Sequence, residues 1–124
     1  MSMQRFVAFI FLTATATWAA DPVALEFFEK KIRPVLVSEC YQCHSKEEKV
    51  KGGLRLDWKG GWQEGGDSGA AIIPGQVGKS LLIQAIRYSD AELEMPPKKR
   101  LTAEQVADFE KWIAMGAPDP RKSC

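Results

Sequence analysis

Two kinds of apolar pattern open the chain. Residues 6–17 are uncharged and apolar with no polar face, whereas from Asp21 onward the apolar positions become periodic. Phe28, Ile32, Val35 and Leu36 recur at helical spacing and predict a helix with one apolar face. Asp21 is a good N-cap, and Pro22 takes the first helical position, where its missing N–H costs nothing. Pro34 removes one backbone hydrogen bond, so this helix is expected to kink or restart near Arg33 and then carry on toward Cys40.

Beyond the helix the periodicity is lost. Residues 45–79 form a 35-residue stretch that holds nine of the ten glycines. A loop of that length is unusual in a compact domain, so either it hides an element or it wraps something that is not polypeptide. Its two short apolar pieces, 54–58 and 70–73, are candidates for a small β-ribbon. A second helix is expected over 80–88, with Leu82 and Ile86 as an i, i+4 pair and Ser80 as its cap. Met95 and Pro96 each precede a proline and therefore belong to an extended turn. The third helix is the clearest, because Thr102 and Gln105 form a capping box, Leu101 and Val106 can staple its entry, and Gly116 with Pro118 ends it. Val106, Phe109 and Ile113 share one face with Trp112 beside it, so this helix should pack on the first.

Composition and charge narrow the class. With 124 residues, 45% hydrophobic and 27% charged, the chain has the make-up of one globular domain. The balance of 17 Lys plus Arg against 16 Asp plus Glu offers no basic footprint for nucleic acid and no acidic solvating tail. The basic residues 1–5, the apolar run and the small Ala19 and Ala20 read as a secretory signal peptide over 1–19, cleaved after Ala19, leaving one domain over 20–124. The apolar run is shorter than the ~20 residues a spanning helix needs, so no membrane-spanning segment is expected after cleavage. A periplasmic or secreted protein is implied, with its cysteines in an oxidising compartment.

The chemistry is concentrated in Cys40-Tyr41-Gln42-Cys43-His44. On a helical turn the positions i, i+3 and i+4 lie on one face, so both thiols and the imidazole point the same way. That suits a haem edge, where two thiols add to two vinyl groups and the adjoining histidine lies under the iron as its proximal ligand. A structural zinc site would need four ligands, and beyond this cluster the chain offers only Cys124 and scattered carboxylates. A thioredoxin-like pair would start a helix after a strand, whereas this motif ends one, and a disulfide across two residues would close a strained loop. His44 is the only histidine, so the sixth ligand is expected to be a thioether. Of the two methionines after the leader, Met95 lies in a turn stiffened by prolines, whereas Met115 lies in the last turn of a helix and reads as core filler.

Several blocks in a fixed order accompany that motif: Ile32-Arg33-Pro34, Lys51-Gly52-Gly53-Leu54-Arg55-Leu56-Asp57, Gly65-Gly66-Asp67-Ser68-Gly69, Ile73-Pro74-Gly75, Lys79-Ser80-Leu81-Leu82, Met95-Pro96-Pro97, Leu101-Thr102, and Trp112-Ile113 with Gly116-Ala117-Pro118. In this order, from Phe27 to Pro118, the chain resembles the planctomycete-type cytochrome c domain, a relative of small class I cytochromes c. The resemblance implies an all-α fold of helices around a haem, with a long Gly-rich loop. It implies one covalent haem c, with Cys40 and Cys43 as thioethers, His44 as proximal ligand and Met95 as distal ligand. It also implies an electron carrier rather than a catalyst, exchanging electrons with redox protein partners, or else a haem-bearing docking subunit or fragment of a larger oxidoreductase.

Secondary assignments follow from that frame. Trp58 and Trp62 are candidates for covering a haem edge, with core packing the competing role, and Arg55 is a candidate partner for a haem propionate. The run Lys98-Lys99-Arg100 follows the ligand turn and is either a solvated turn or a docking patch for an acidic redox partner. Cys124 is a candidate for an intermolecular disulfide or marks a truncated chain.

Overall fold

A computed structural model describes residues 9–10 and 21–123. Residues 1–8 and 11–20 of the expected leader and its junction, and Cys124, lie outside the described residues. The regular structure is helical, and no strand occurs among the described residues. No described helix is long and apolar enough to cross a membrane.

The first helical run covers residues 22–40 without a break, as α1 (Pro22–Phe27), a wide turn (Phe28–Ile32), α2 (Arg33–Val35) and a second wide turn (Leu36–Cys40). Asp21 caps it, its side chain accepting from the Val23 N–H at 3.0 Å. Pro34 does not end the run, and α2 begins at Arg33, where the expected restart falls. The hydrogen bonds around it lengthen to i→i+5, Arg33 N–H to the Phe28 carbonyl and Tyr41 N–H to the Leu36 carbonyl, and a wider turn accommodates the proline ring. Phe28, Ile32, Val35 and Leu36 form the buried stripe the spacing predicts.

Residues 45–79 are less irregular than expected. They contain α3 (Lys59–Glu64) and two single 3₁₀ turns, Lys51–Gly53 and Val77–Lys79. Helix α3 holds two glycines, which propensity alone disfavours, because their backbones pack too closely for side chains. A Cβ on Gly60 would enter the Trp58 ring, and one on Gly61 would meet the Arg55 carbonyl. The expected ribbon between 54–58 and 70–73 does not form. Its backbone groups are engaged elsewhere: Leu56 N–H donates to the His44 carbonyl at 2.8 Å, and the Ala71 carbonyl accepts from Leu82 N–H at 2.9 Å. The described residues show only isolated bridges, His44 with Val50 and Gly66 with Gly69.

Helix α4 (Leu81–Ile86) is shorter than the 80–88 expected. Ser80 precedes it but does not cap it with its side chain. Its buried hydroxyl instead accepts from Ile73 N–H at 3.0 Å and donates to the Gln76 carbonyl at 2.9 Å, tying the preceding loop to the helix start. Helix α5 (Ala103–Ala114) opens with the capping box, Gln105 N–H to Thr102 Oγ1 at 3.1 Å and Thr102 N–H to Gln105 Oε1 at 2.9 Å. It packs on the first run through Trp112, whose ring centroid lies 5.7 Å from Phe28, 6.2 Å from Phe109 and 6.1 Å from Trp62. Each such aromatic pair contributes about 0.5–1.5 kcal/mol beyond its buried area.

Helix α5 ends in a Schellman motif, with Gly116 N–H on the Ile113 carbonyl at 3.0 Å and Ala117 N–H on the Trp112 carbonyl at 2.9 Å. Gly116 takes the left-handed conformation this requires, at φ +100°. The turn sends residues 117–122 back across the molecule, where the Lys122 carbonyl accepts from Gly60 N–H at 3.0 Å. Met115, expected as core filler, is 40% exposed at the C-cap of the helix.

Candidate functional site

The first helical run delivers its last residue, Cys40, into a tight turn. Cys43 N–H and His44 N–H both donate to the Cys40 carbonyl, at 3.2 and 3.0 Å, which gathers two thiols and one imidazole onto a single turn. The outer side of this turn is pinned by three further bonds: Lys51 N–H to the Cys43 carbonyl at 2.8 Å, Leu56 N–H to the His44 carbonyl at 2.8 Å, and Ser45 Oγ to the Tyr41 carbonyl at 2.7 Å. His44 Nδ1 lies 3.1 Å from the Leu54 carbonyl. A carbonyl only accepts, so Nδ1 carries the proton and the Nε2 lone pair is left for another partner.

Cys40, Cys43, His44 and Met95 line one cavity of about 270 Å³. Its walls are mostly apolar, with Leu54, Leu56, Ala71, Leu82, Ile86 and Leu93 among the lining residues. Glycines 52, 66 and 69 bring bare backbone to the same wall. Met95 reaches the cavity from a turn held by its own N–H on the Ala85 carbonyl at 3.1 Å and by Tyr88 Oη donating to the Pro96 carbonyl. Pro96 and Pro97 line the cavity beside it, whereas Met115 does not.

Cys40 and Cys43 are free thiols. Burial, reinforced by the Glu39 and Cys43 charges, pushes the Cys40 thiol up to about 12. A redox or nucleophilic cysteine needs its thiolate near neutral pH, and this environment works against one. Among the described residues no three His, Cys, Asp or Glu side chains converge as a metal site.

Residues 40–99 match the family model described as Planctomycete cytochrome C. Over this stretch the chain is similar to a planctomycete-type cytochrome c domain. No curated protein and no solved structure matches the chain. The match begins at Cys40 and includes Met95, while most of the first helical run, α5 and the C-terminal tail lie outside it, so it is narrower than the resemblance from Phe27 to Pro118. A cytochrome c domain binds haem and transfers electrons. The donor set of this cavity fits such a group: two free thiols three residues apart, an imidazole with Nε2 unbonded, and a thioether, all on apolar walls.

Of the two roles open to the tryptophans, Trp62 takes the core-packing one. Trp62 is buried in the aromatic core and donates through Nε1 to Asp119 Oδ2 at 2.9 Å, and neither Trp62 nor Trp58 lines the cavity. Arg55 stacks over Trp58 at 5.3 Å and grips Asp57 with two hydrogen bonds of 3.0 and 2.9 Å, and it is not among the residues that line the cavity. Leu54, whose carbonyl orients His44, escaped sequence reasoning because that role rests on its backbone, which every residue shares.

Proposed function

We propose that the chain is a haem c electron carrier acting outside the cytoplasm. Cys40 and Cys43 would hold the macrocycle as thioethers, and His44 and Met95 would be the ligands of its iron. The observation that carries this reading is the convergence of these four side chains, and no other sulfur or imidazole among the described residues, on one apolar cavity. Bound there, the haem iron supplies a one-electron couple.

The remaining work falls to the chain. The apolar walls exclude water from the macrocycle, the Leu54 carbonyl fixes the tautomer and ring plane of His44, and the proline-flanked turn limits the wandering of Met95. With His44 and Met95 both supplied by the chain as ligands, little structure would have to rearrange as an electron comes and goes. His44 is the only histidine in the sequence, so with His44 on the iron no imidazole remains for the acid–base work of a peroxidase. Residues 1–19, with the composition of a signal peptide, favour periplasmic or secreted location.

A reduced-minus-oxidised spectrum of the exported protein tests the reading, together with acid–acetone extraction. A c-type spectrum whose haem resists extraction supports it, and extractable haem or none overturns it. For redox partners, the exposed Lys98 and Lys99 beside the Met95–Pro97 turn favour an acidic surface. Electron transfer to such a partner is expected to slow as salt rises, since the Debye length is about 8 Å at physiological ionic strength, and a salt-independent rate favours a fixed subunit contact instead.

A further inference from the structure

One buried polar cluster lies outside the cavity, and haem binding by itself does not call for it. In the tail beyond α5, the Asp119 side chain is fully buried and that of Arg121 is 8% exposed. Arg121 Nε and Nη2 donate to the Asp119 carboxylate at 2.8–3.2 Å, and Trp62 Nε1 donates to the same carboxylate at 2.9 Å. The third nitrogen, Nη1, turns away from the ion pair and donates to Tyr41 Oη at 2.9 Å and to the Leu56 carbonyl at 2.7 Å. The guanidinium carbon lies 5.1 Å from the centroid of the Phe28 ring.

Both acceptors of Nη1 belong to the segments that surround His44. Tyr41 stands between Cys40 and Cys43. Leu56 N–H bonds the His44 carbonyl at 2.8 Å, and two residues earlier the Leu54 carbonyl accepts from His44 Nδ1 at 3.1 Å. Segment 54–56 is therefore clamped between His44 on one side and Arg121 on the other. A buried ion pair is weak support for stability when set against apolar packing of the same volume, which leaves its geometric role as the reason to keep it.

The geometry points to Arg121 as a positioning residue for the proximal ligand: through the Leu56 carbonyl and Tyr41 Oη it holds segment 54–56 and the Cys40–His44 turn in register, and so sets the His44 Nδ1–H···O bond to Leu54. Residues 117–122 lie outside the stretch matched by the family model. The inference rests on the haem reading above, because the bond that orients an axial imidazole also tunes its donor strength.

The test uses the haem-loaded full chain and two variants that touch the same cluster. Arg121→Lys keeps the charge opposite Asp119, but one ammonium cannot serve the carboxylate, Tyr41 Oη and the Leu56 carbonyl together. Trp62→Phe removes a different bond to the same carboxylate and leaves the Nη1 contacts intact. The readouts are deuterium exchange of the His44 Nδ1 proton in the ferric protein, followed by proton NMR, and the reduction potential. In Arg121→Lys, exchange is expected to accelerate by about tenfold or more and the potential to move positive, since a looser Nδ1–H bond makes the imidazole a poorer donor. Trp62→Phe is expected to leave both at the parent values. Failure of Arg121→Lys to retain haem while an equally urea-sensitive Trp62→Phe retains it also supports the role. Parent-like exchange and potential in Arg121→Lys, or equal behaviour of the two variants, overturns it. Absence of covalent haem in the unsubstituted protein would instead be a failure of the functional reading.

Discussion

The turn carrying Cys40, Cys43 and His44 differs sharply in construction from the Met95–Pro97 turn on the same cavity. In the first, the carbonyls of Cys40, Tyr41, Cys43 and His44 all accept hydrogen bonds, and Arg121 braces it from behind. In the second, Met95 is 36% exposed, two residues have no N–H to give, and the anchors are the Met95 N–H on Ala85 and the Tyr88 hydroxyl on Pro96. One wall is built into the core, and the other hangs from α4 by few contacts. Segments of the second kind open first, because local opening costs less where few contacts must break. The comparison teaches that a firmly bonded wall and a loosely held wall of one cavity can be assigned to different parts of so small a chain.

Breaking the braced wall should have the largest effect. Cys40→Ser or Cys43→Ser is expected to abolish most covalent haem retention and to leave a largely unfolded apo chain, checked by haem stain on denaturing gels and by circular dichroism, because the ligand that stabilises the fold is lost. Breaking the other wall should be gentler. Met95→Ala is expected to keep the covalent haem and the fold but to lose the weak near-infrared sulfur-to-iron band of the ferric protein, whereas Met115→Leu keeps that band. Band loss in Met115→Leu with retention in Met95→Ala would reverse the assignment of the second wall.

The brace itself should be acid-labile. Burial of Asp119 works against its charge, but hydrogen bonds from Arg121 and Trp62 outweigh burial and hold its carboxyl below the usual carboxylate range. A folded-state value below the unfolded one means that the unfolded chain takes up protons first as pH falls. The contribution is therefore complete above the unfolded value of about 3.9 and is lost as pH falls through the lower folded value. Asp119→Asn, which leaves Arg121 without its countercharge, is expected to lower stability at neutral pH by about 3 kcal/mol and to flatten this acid-dependent part, read by urea unfolding across the acid range. A parent-like acid slope in Asp119→Asn would assign the slope to other carboxyl groups.

The smallest effect sharpens the contrast rather than breaking it. Tyr88 adopts the left-handed conformation at φ 57°, packs under Arg100 at 4.7 Å and donates to the Pro96 carbonyl. Tyr88→Phe removes that one bond and should loosen the Met95 turn by about 1 kcal/mol, or roughly fivefold in the displacement of Met95 by added imidazole, with covalent haem retention unchanged. An unchanged displacement constant would mean that the Met95 wall is held by the Ala85 contact and by packing alone.

What the sequence by itself determined is what depends on short spacing. The capping box of α5 needs only Thr102 and Gln105, three residues apart, and the convergence of Cys40, Cys43 and His44 needs only one turn, so both are legible without a fold. Met95 was legible as a cavity residue because two following prolines exclude it from a helix. Tertiary structure decided the rest. Helix α3 forms over Gly60 and Gly61 because Trp58 and Arg55 occupy the space their side chains would need. Ser80 serves a loop rather than a helix end because Ile73 and Gln76 are brought to its hydroxyl. The Arg121 brace joins residues 65 and 80 positions apart, and Trp62 joins Asp119 across 57. No local pattern marks such partners, because any donor and acceptor can pair once the chain is folded, and burial then favours the pairs that satisfy polar groups.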